Sequence, residues 1–133
     1  MLPTTFATDR PVLVRVPLDA FAWPSGIDQS LVVLRAEPRE LTARYGIGFR
    51  HDLDGLDYNL VSVVRLPSGR HVMFIRHYRA PVPGTGVSVD RDDSLRDAWD
   101  ELQAVLGIDD AAASWRSEFM DGAAASANDV AAA

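Results

Sequence analysis

At 133 residues and a formal net charge of −6, the chain has the length of one domain and can bury a core large enough to fold without a covalent staple. Cysteine is absent, which excludes disulfides, thiolate metal sites, iron–sulfur clusters and cysteine nucleophiles, and fits a reducing cytoplasm. Lysine is absent too, so all 13 basic residues are Arg, and apolar runs such as Leu31 to Leu34 are far too short to span a bilayer. The expected location is the cytoplasm, with no membrane partner.

Met1 to Arg10 reads as a frayed arm. Pro11 to Val16 alternates Val12, Val14 and Val16 against Leu13 and Arg15 in strand fashion, and Pro17 ends it. Leu18 to Ser30 is a loop whose Phe21 and Trp23 are expected to plug the core edge, since such side chains do not lie idle in water. Leu31 to Ala36 is a second strand. Pro38 suits the first turn of a helix that runs to Tyr45, buries Leu41 and Tyr45 one turn apart, and stops at Gly46. Gly46 and Gly48 loosen the next segment, and His51 to Asp57 reads as an acidic turn.

The chain is organised on the hairpin that follows. Two apolar runs rich in β-branched residues, Leu60 to Val64 and Val72 to Ile75, flank Pro67-Ser68-Gly69. Pro67 suits the second position of a type I turn and Gly69 the left-handed residue after it, so Leu66 should pair with Arg70. That register sets Val64 opposite Val72, Val63 opposite Met73, Val61 opposite Ile75 and Asn59 opposite His77. One face then carries Val61, Val63, Met73 and Ile75, and the other Leu60, Val64, Val72, Phe74 and Tyr78. A hairpin apolar on both sides is either covered on both sides or covered by helices on one and by a partner on the other.

Pro81, Pro83 and Gly84 make a stiff connection into a short strand over Gly86 to Val89. Leu95, Trp99, Leu102, Val105 and Leu106 recur at helical spacing, with acids crowding the start and Gly107 closing the end. A further helix is expected from Asp109 or Asp110, carrying Ala111, Trp115 and Phe119 on one face. The pattern is an α+β fold: a small antiparallel sheet of about four to five strands on the central 60–78 hairpin, one short helix before it and two after it. Residues 1–122 form a single domain, and 123–133 an Ala-rich tail with too little apolar surface to pack.

Charge is unevenly laid out. Asp90 to Ala133 holds eleven acids and three Arg, a balance of −8, whereas Met1 to Val89 holds eight acids and ten Arg, a balance of +2. Tyr58 to Val89 has no acid at all, which makes a basic hairpin patch of Arg65, Arg70, Arg76, His77 and Arg79. An acidic helix lying against this patch would neutralise it internally; otherwise either surface is open to a partner.

Three places could carry chemistry. His51, Asp52, Asp54 and Asp57 could offer ligands to a divalent cation, but the spacing fails the EF-hand pattern, and Asp and Gly shaping a turn is the better reading. His71 and His77 share a face by parity yet stand roughly 20 Å apart along the strand, so they cannot share a metal or a proton relay. His51 could join His77, but no nucleophile elbow or HExxH partner accompanies them. The Arg-rich hairpin with Tyr78 could hold a nucleic-acid single strand, against which stands a sequence pI near 4.9.

In size, acidity and lack of cysteine the chain resembles small bacterial immunity and inhibitor proteins, a likeness of class carried by no motif. It implies charge-complementary binding to a basic protein, here through Asp93, Asp97, Asp100 and Glu101. A binding module needs no catalytic set, cofactor or metal, and none is expected. The alternatives are a small-ligand protein or enzyme with a pocket between the 21–23 loop and the hairpin, and single-stranded nucleic-acid binding through the hairpin.

Overall fold

The computed structural model describes residues 13–54 and 57–118, with the backbone alone for 53, 54, 57 and 58. Among these residues the fold is mixed, with seven strands and two α-helices. The strands are β1 (Val14–Val16), β2 (Asp28–Leu34), β3 (Arg50–Asp54), β4 (Asp57–Arg65), β5 (His71–His77), β6 (Thr85–Asp90) and β7 (Ala113–Arg116). The helices are α1 (Pro38–Tyr45) and α2 (Leu95–Leu106). All strand pairs are antiparallel, in the order β1-β4-β5-β6-β2-β7, and β3 shares the β4 edge with β1.

The central hairpin has the register its turn dictates. Val64 pairs with Val72, Val63 with Met73, Val61 with Ile75 and Asn59 with His77. The Leu66 N–H donates to Arg70 O at 2.8 Å, and Gly69 takes φ 95°, the left-handed region where a side chain is strained. The first helix also runs as expected from Pro38 to a left-handed Gly46, with Glu37 and Glu40 closing a reciprocal capping box at its start. The second is capped by Ser94, whose hydroxyl accepts the Asp97 N–H.

Two expectations about the number of elements need correcting. His51–Asp57 is no simple turn: Arg50–Asp54 is a strand, with Arg50 opposite Val61 and Asp54 opposite Asp57. The acids there alternate with His51 and Leu53 at strand period, and the open edge of β4 satisfies their backbone groups. The helix expected from Asp109 is a single turn of 3-10 helix, Asp110–Ala112, followed by β7. Ala111 falls in the 3-10 turn and Trp115 in the strand, opposite Val33, where pairing with β2 satisfies the backbone that a longer helix would have satisfied internally. Phe119 and the tail over 123–133 lie outside the described residues, as do Met1–Arg10 and the first two residues of the strand expected over Pro11–Val16.

The core lies between α2 and one face of the sheet. Val64, Val72, Phe74, Val87, Val89, Leu31, Val32 and Leu34 are buried against Leu95, Ala98, Trp99, Leu102 and Leu106. Leu41 of α1 and Ile47 extend the same cluster. Trp99 is 0 % exposed, and its indole N–H donates to Asp110 at 2.8 Å, so burial leaves no polar atom stranded.

Candidate functional site

The structure offers two places to look: the seam between hairpin and α2, and the opposite face of the sheet. The seam is where the sequence-predicted charges meet. Arg70 leaves the hairpin turn with its side chain only 18 % exposed, and its Nη1 donates to Glu101 Oε1 at 2.6 Å. Its Nε stands 3.6 Å from the Asp93 carboxylate. The Ser68 N–H and hydroxyl both donate to Glu101, at 2.9 and 2.6 Å. One carboxylate thus clasps the turn through backbone, hydroxyl and guanidinium, and charge-assisted bonds of this kind are about twice as strong as neutral ones.

The remaining predicted residues scatter. Asp97 and Asp100 are exposed on α2, and Arg65 is exposed at the end of β4. Arg76 crosses to the β5–β6 connection, donating to Val82 O and Gly84 O and standing 3.7 Å from Glu37. Glu37 in turn accepts the Gly84 N–H at 2.6 Å. His77 Nδ1 donates to Asn59 Oδ1 at 2.7 Å, and Arg79 is exposed just beyond. Arg70 and Arg76, read from sequence as part of one basic patch, are therefore tied into separate contacts, one to α2 and one to the loop before β6.

Besides Asp19, which its hydrogen bond with Arg50 holds down, two carboxylates outside that set are held below the usual carboxylate range. Asp90 accepts the Ser25 N–H, which is the main cause, and the Asp92 N–H; burial opposes the shift. Asp110 is held down first by the indole N–H of Trp99, with Arg116 and Gln103 assisting. Both are fastenings: Asp90 pins the loop before β2 to the start of the β6–α2 connection, and Asp110 pins β7's leading turn to α2. Among the described residues no group of three or more His, Asp or Glu is placed to hold a metal ion.

Among the described residues no helix lies on the opposite face. Paired residues share a side, so Val61, Ile75, Gly86, Val33 and Trp115 form one row across five strands. Met73 and Ser88 continue the next row. At one end the segment between β1 and β2 crosses this face: Phe21 meets Trp23 edge-on at 4.8 Å and the His71 ring at 5.2 Å. The rings fill the space between the 21–23 loop and the hairpin, and Val61 and Val63 are buried. Beyond that crossing the face is open. Trp115 is 47 % exposed and Val82 51 %, with Met73, Ile75 and Val33 half-buried.

Gly86 contributes no side chain to the row, so the surface dips between Ile75 and Val33 into a groove of about 530 Å³. Asp28 stands at its side, and Glu118 lies in the next cleft beside Trp115. Sequence reasoning foresaw an apolar second face on the hairpin but missed its extent. Trp115 was placed on a helix, and Gly86 was read only as the start of a strand.

Among the described residues no helix is long and apolar enough to cross a membrane. Set against models of known protein families, curated proteins and solved structures, the chain has no significant match in any of the three comparisons.

Proposed function

We propose that this chain is a protein-binding module that receives its partner on the helix-free face of the sheet. The observation that supports this is the row Ile75–Gly86–Val33–Trp115, an apolar strip with a glycine dip and a half-exposed Trp at its end. Contiguous exposed apolar surface of this kind marks interaction sites, and half-exposed aromatics are the usual anchors of interfaces. The partner is a protein that places an apolar side chain in the dip and flanks it with Lys or Arg. Asp28 borders the groove opposite Arg76 and His77, Glu118 lies in the adjoining cleft beside Trp115, and the chain's charge of −6 would steer a basic protein toward it.

The acids of α2 form the competing surface. Asp93 and Glu101 already answer Arg70, so a partner there would displace an internal clasp, whereas Asp97 and Asp100 are exposed. The test is affinity capture from the source cell's lysate with three baits: wild type, Trp115→Asp, and the double reversal Asp97→Arg/Asp100→Arg. A basic protein captured by wild type and by the α2 reversal, but lost with Trp115→Asp, supports the open face. Loss with the α2 reversal and retention with Trp115→Asp moves the interface to the helix. Capture of nothing by any bait, with a metabolite or a nucleic acid co-purifying, rejects the module in favour of a ligand protein.

A further inference from the structure

The groove on the open face runs along one strand. In β6 the sides alternate: Thr85, Val87 and Val89 are buried on the covered side, while Gly86 and Ser88 are part-exposed on the open one. Register sets Gly86 between Ile75 and Val33, and Ser88 between Met73 and Ser30. Both middle residues are small, so β6 is the floor of the groove. Its walls stand on β5 and β2, two strand spacings or about 10 Å apart.

The backbone does not require glycine at the lowest point of this floor. Gly86 lies outside the left-handed region, and a Cβ there would meet Ile75 O at 3.4 Å and Ile75 Cγ2 at 3.5 Å, which is ordinary contact. Glycine inside a strand weakens it, and it marks places where another backbone or a ligand comes close.

The ends of the groove differ in charge. Asp28 lines one end, exposed and with no ion-pair partner among the described residues. Arg76 and His77 line the other. An occupant is therefore complemented by a cation at the Asp28 end only. Its form follows from the spacing. An extended chain laid along β6 sends every second side chain to the floor, at the same spacing of about 6.8 Å that separates Gly86 from Ser88. An α-helix about 10–12 Å across would ride on the walls without reaching the floor.

We infer that the groove receives an extended segment of the partner protein, lying along β6 with apolar side chains at i and i+2 over Gly86 and Ser88 and a Lys or Arg meeting Asp28. This rests on the open-face reading above and adds the form and charge order of what binds there.

The test is selection of a displayed library of random octapeptides on the immobilised full chain, followed by titration of the enriched peptides. They should share an apolar pair at i and i+2 with a basic residue to one side of it. Gly86→Val, with a denaturation midpoint at or above that of wild type, should weaken them about tenfold or more by filling the floor. Asp28→Arg, altered at an exposed position, should weaken them about threefold or more. The inference is overturned if nothing is enriched, if the enriched peptides lack the apolar pair, or if they bind Gly86→Val as wild type does. Should any of these occur while Trp115→Asp still releases a partner that wild type captures, the open face stands and the extended segment alone falls. If Trp115→Asp retains that partner, the reading of the face falls with it.

Discussion

Phe74 and Ile75 are neighbours on the same strand, yet one is 0 % exposed beneath α2 and the other half-buried on a face that no helix among the described residues covers. The two sides of this sheet are built from equally apolar rows and have different fates. On the covered side, Trp99, Leu102 and Leu106 fill the surface that Val72, Phe74, Val87 and Val32 present. On the other side the described residues supply the crossing segment, where Phe21 meets Trp23 and His71, and Val61 and Val63 are buried while Ile75, Val33 and Trp115 keep part of their surface. Among the described residues the second side thus has less packing against its apolar residues than the first.

The contrast predicts unequal responses to mutation. Trp99→Ala should lower stability by about 3–5 kcal/mol, because it empties the largest buried side-chain volume and removes the indole N–H that donates to Asp110. Trp115→Ala should fall within about 0.5 kcal/mol of wild type, as surface changes do. Chemical denaturation of the pair measures both, and equal losses would break the distinction between the faces. Next in size is Gly84→Ala. Gly84 sits at φ 105°, where a Cβ would stand 2.0 Å from Leu34 O, so the loop carrying the Glu37 and Arg76 contacts would have to move. A loss of about 1–3 kcal/mol is expected from the strained backbone alone, read as a lower denaturation midpoint.

A smaller effect is tied to pH. Asp90 and Asp110 are both held below the ordinary value of 3.8 by hydrogen bonds that exist only when folded. Groups depressed in this way contribute stability that is full above that value and is lost as pH falls through their lower folded values. Thermal unfolding followed from pH 6 down past pH 4 should show the midpoint falling, with a shallower fall in Asp110→Asn. An identical profile in that variant would show that Asp110 does not fasten β7's turn to α2. The smallest effect expected is that of removing residues 123–133, which should leave the melting temperature nearly unchanged, since their sequence holds Val130 as its one sizeable apolar side chain. A clear drop on truncation would show that this segment packs, and the open face would then be a natural place to look for it.

What could be read in advance followed from local chemistry. The hairpin register was legible because Pro67 and Gly69 dictate one turn, and α1 because Pro38 and Gly46 mark both of its ends. The stripe from Leu95 to Leu106 announced a helix for the same reason. Where tertiary pairing decided, sequence was ambiguous. β7 is only four residues long, too short for its sequence to show a strand period, and β3 looked like a turn because its acids and Gly55 carry turn chemistry. The charge seam was half legible: an acidic helix against a basic hairpin was an open possibility, but nothing local singled out Arg70, Asp93 and Glu101 as the residues that meet.

Hydroxyl-radical labelling of the captured complex, compared with the isolated chain, tests the central claim most directly, since it reads each side chain's access to water in place. The account predicts that Met73, Ile75 and Trp115 become protected on partner binding while the exposed side of α2 around Arg96 labels as before. Protection confined to α2, with Trp115 labelled equally in both states, would contradict it.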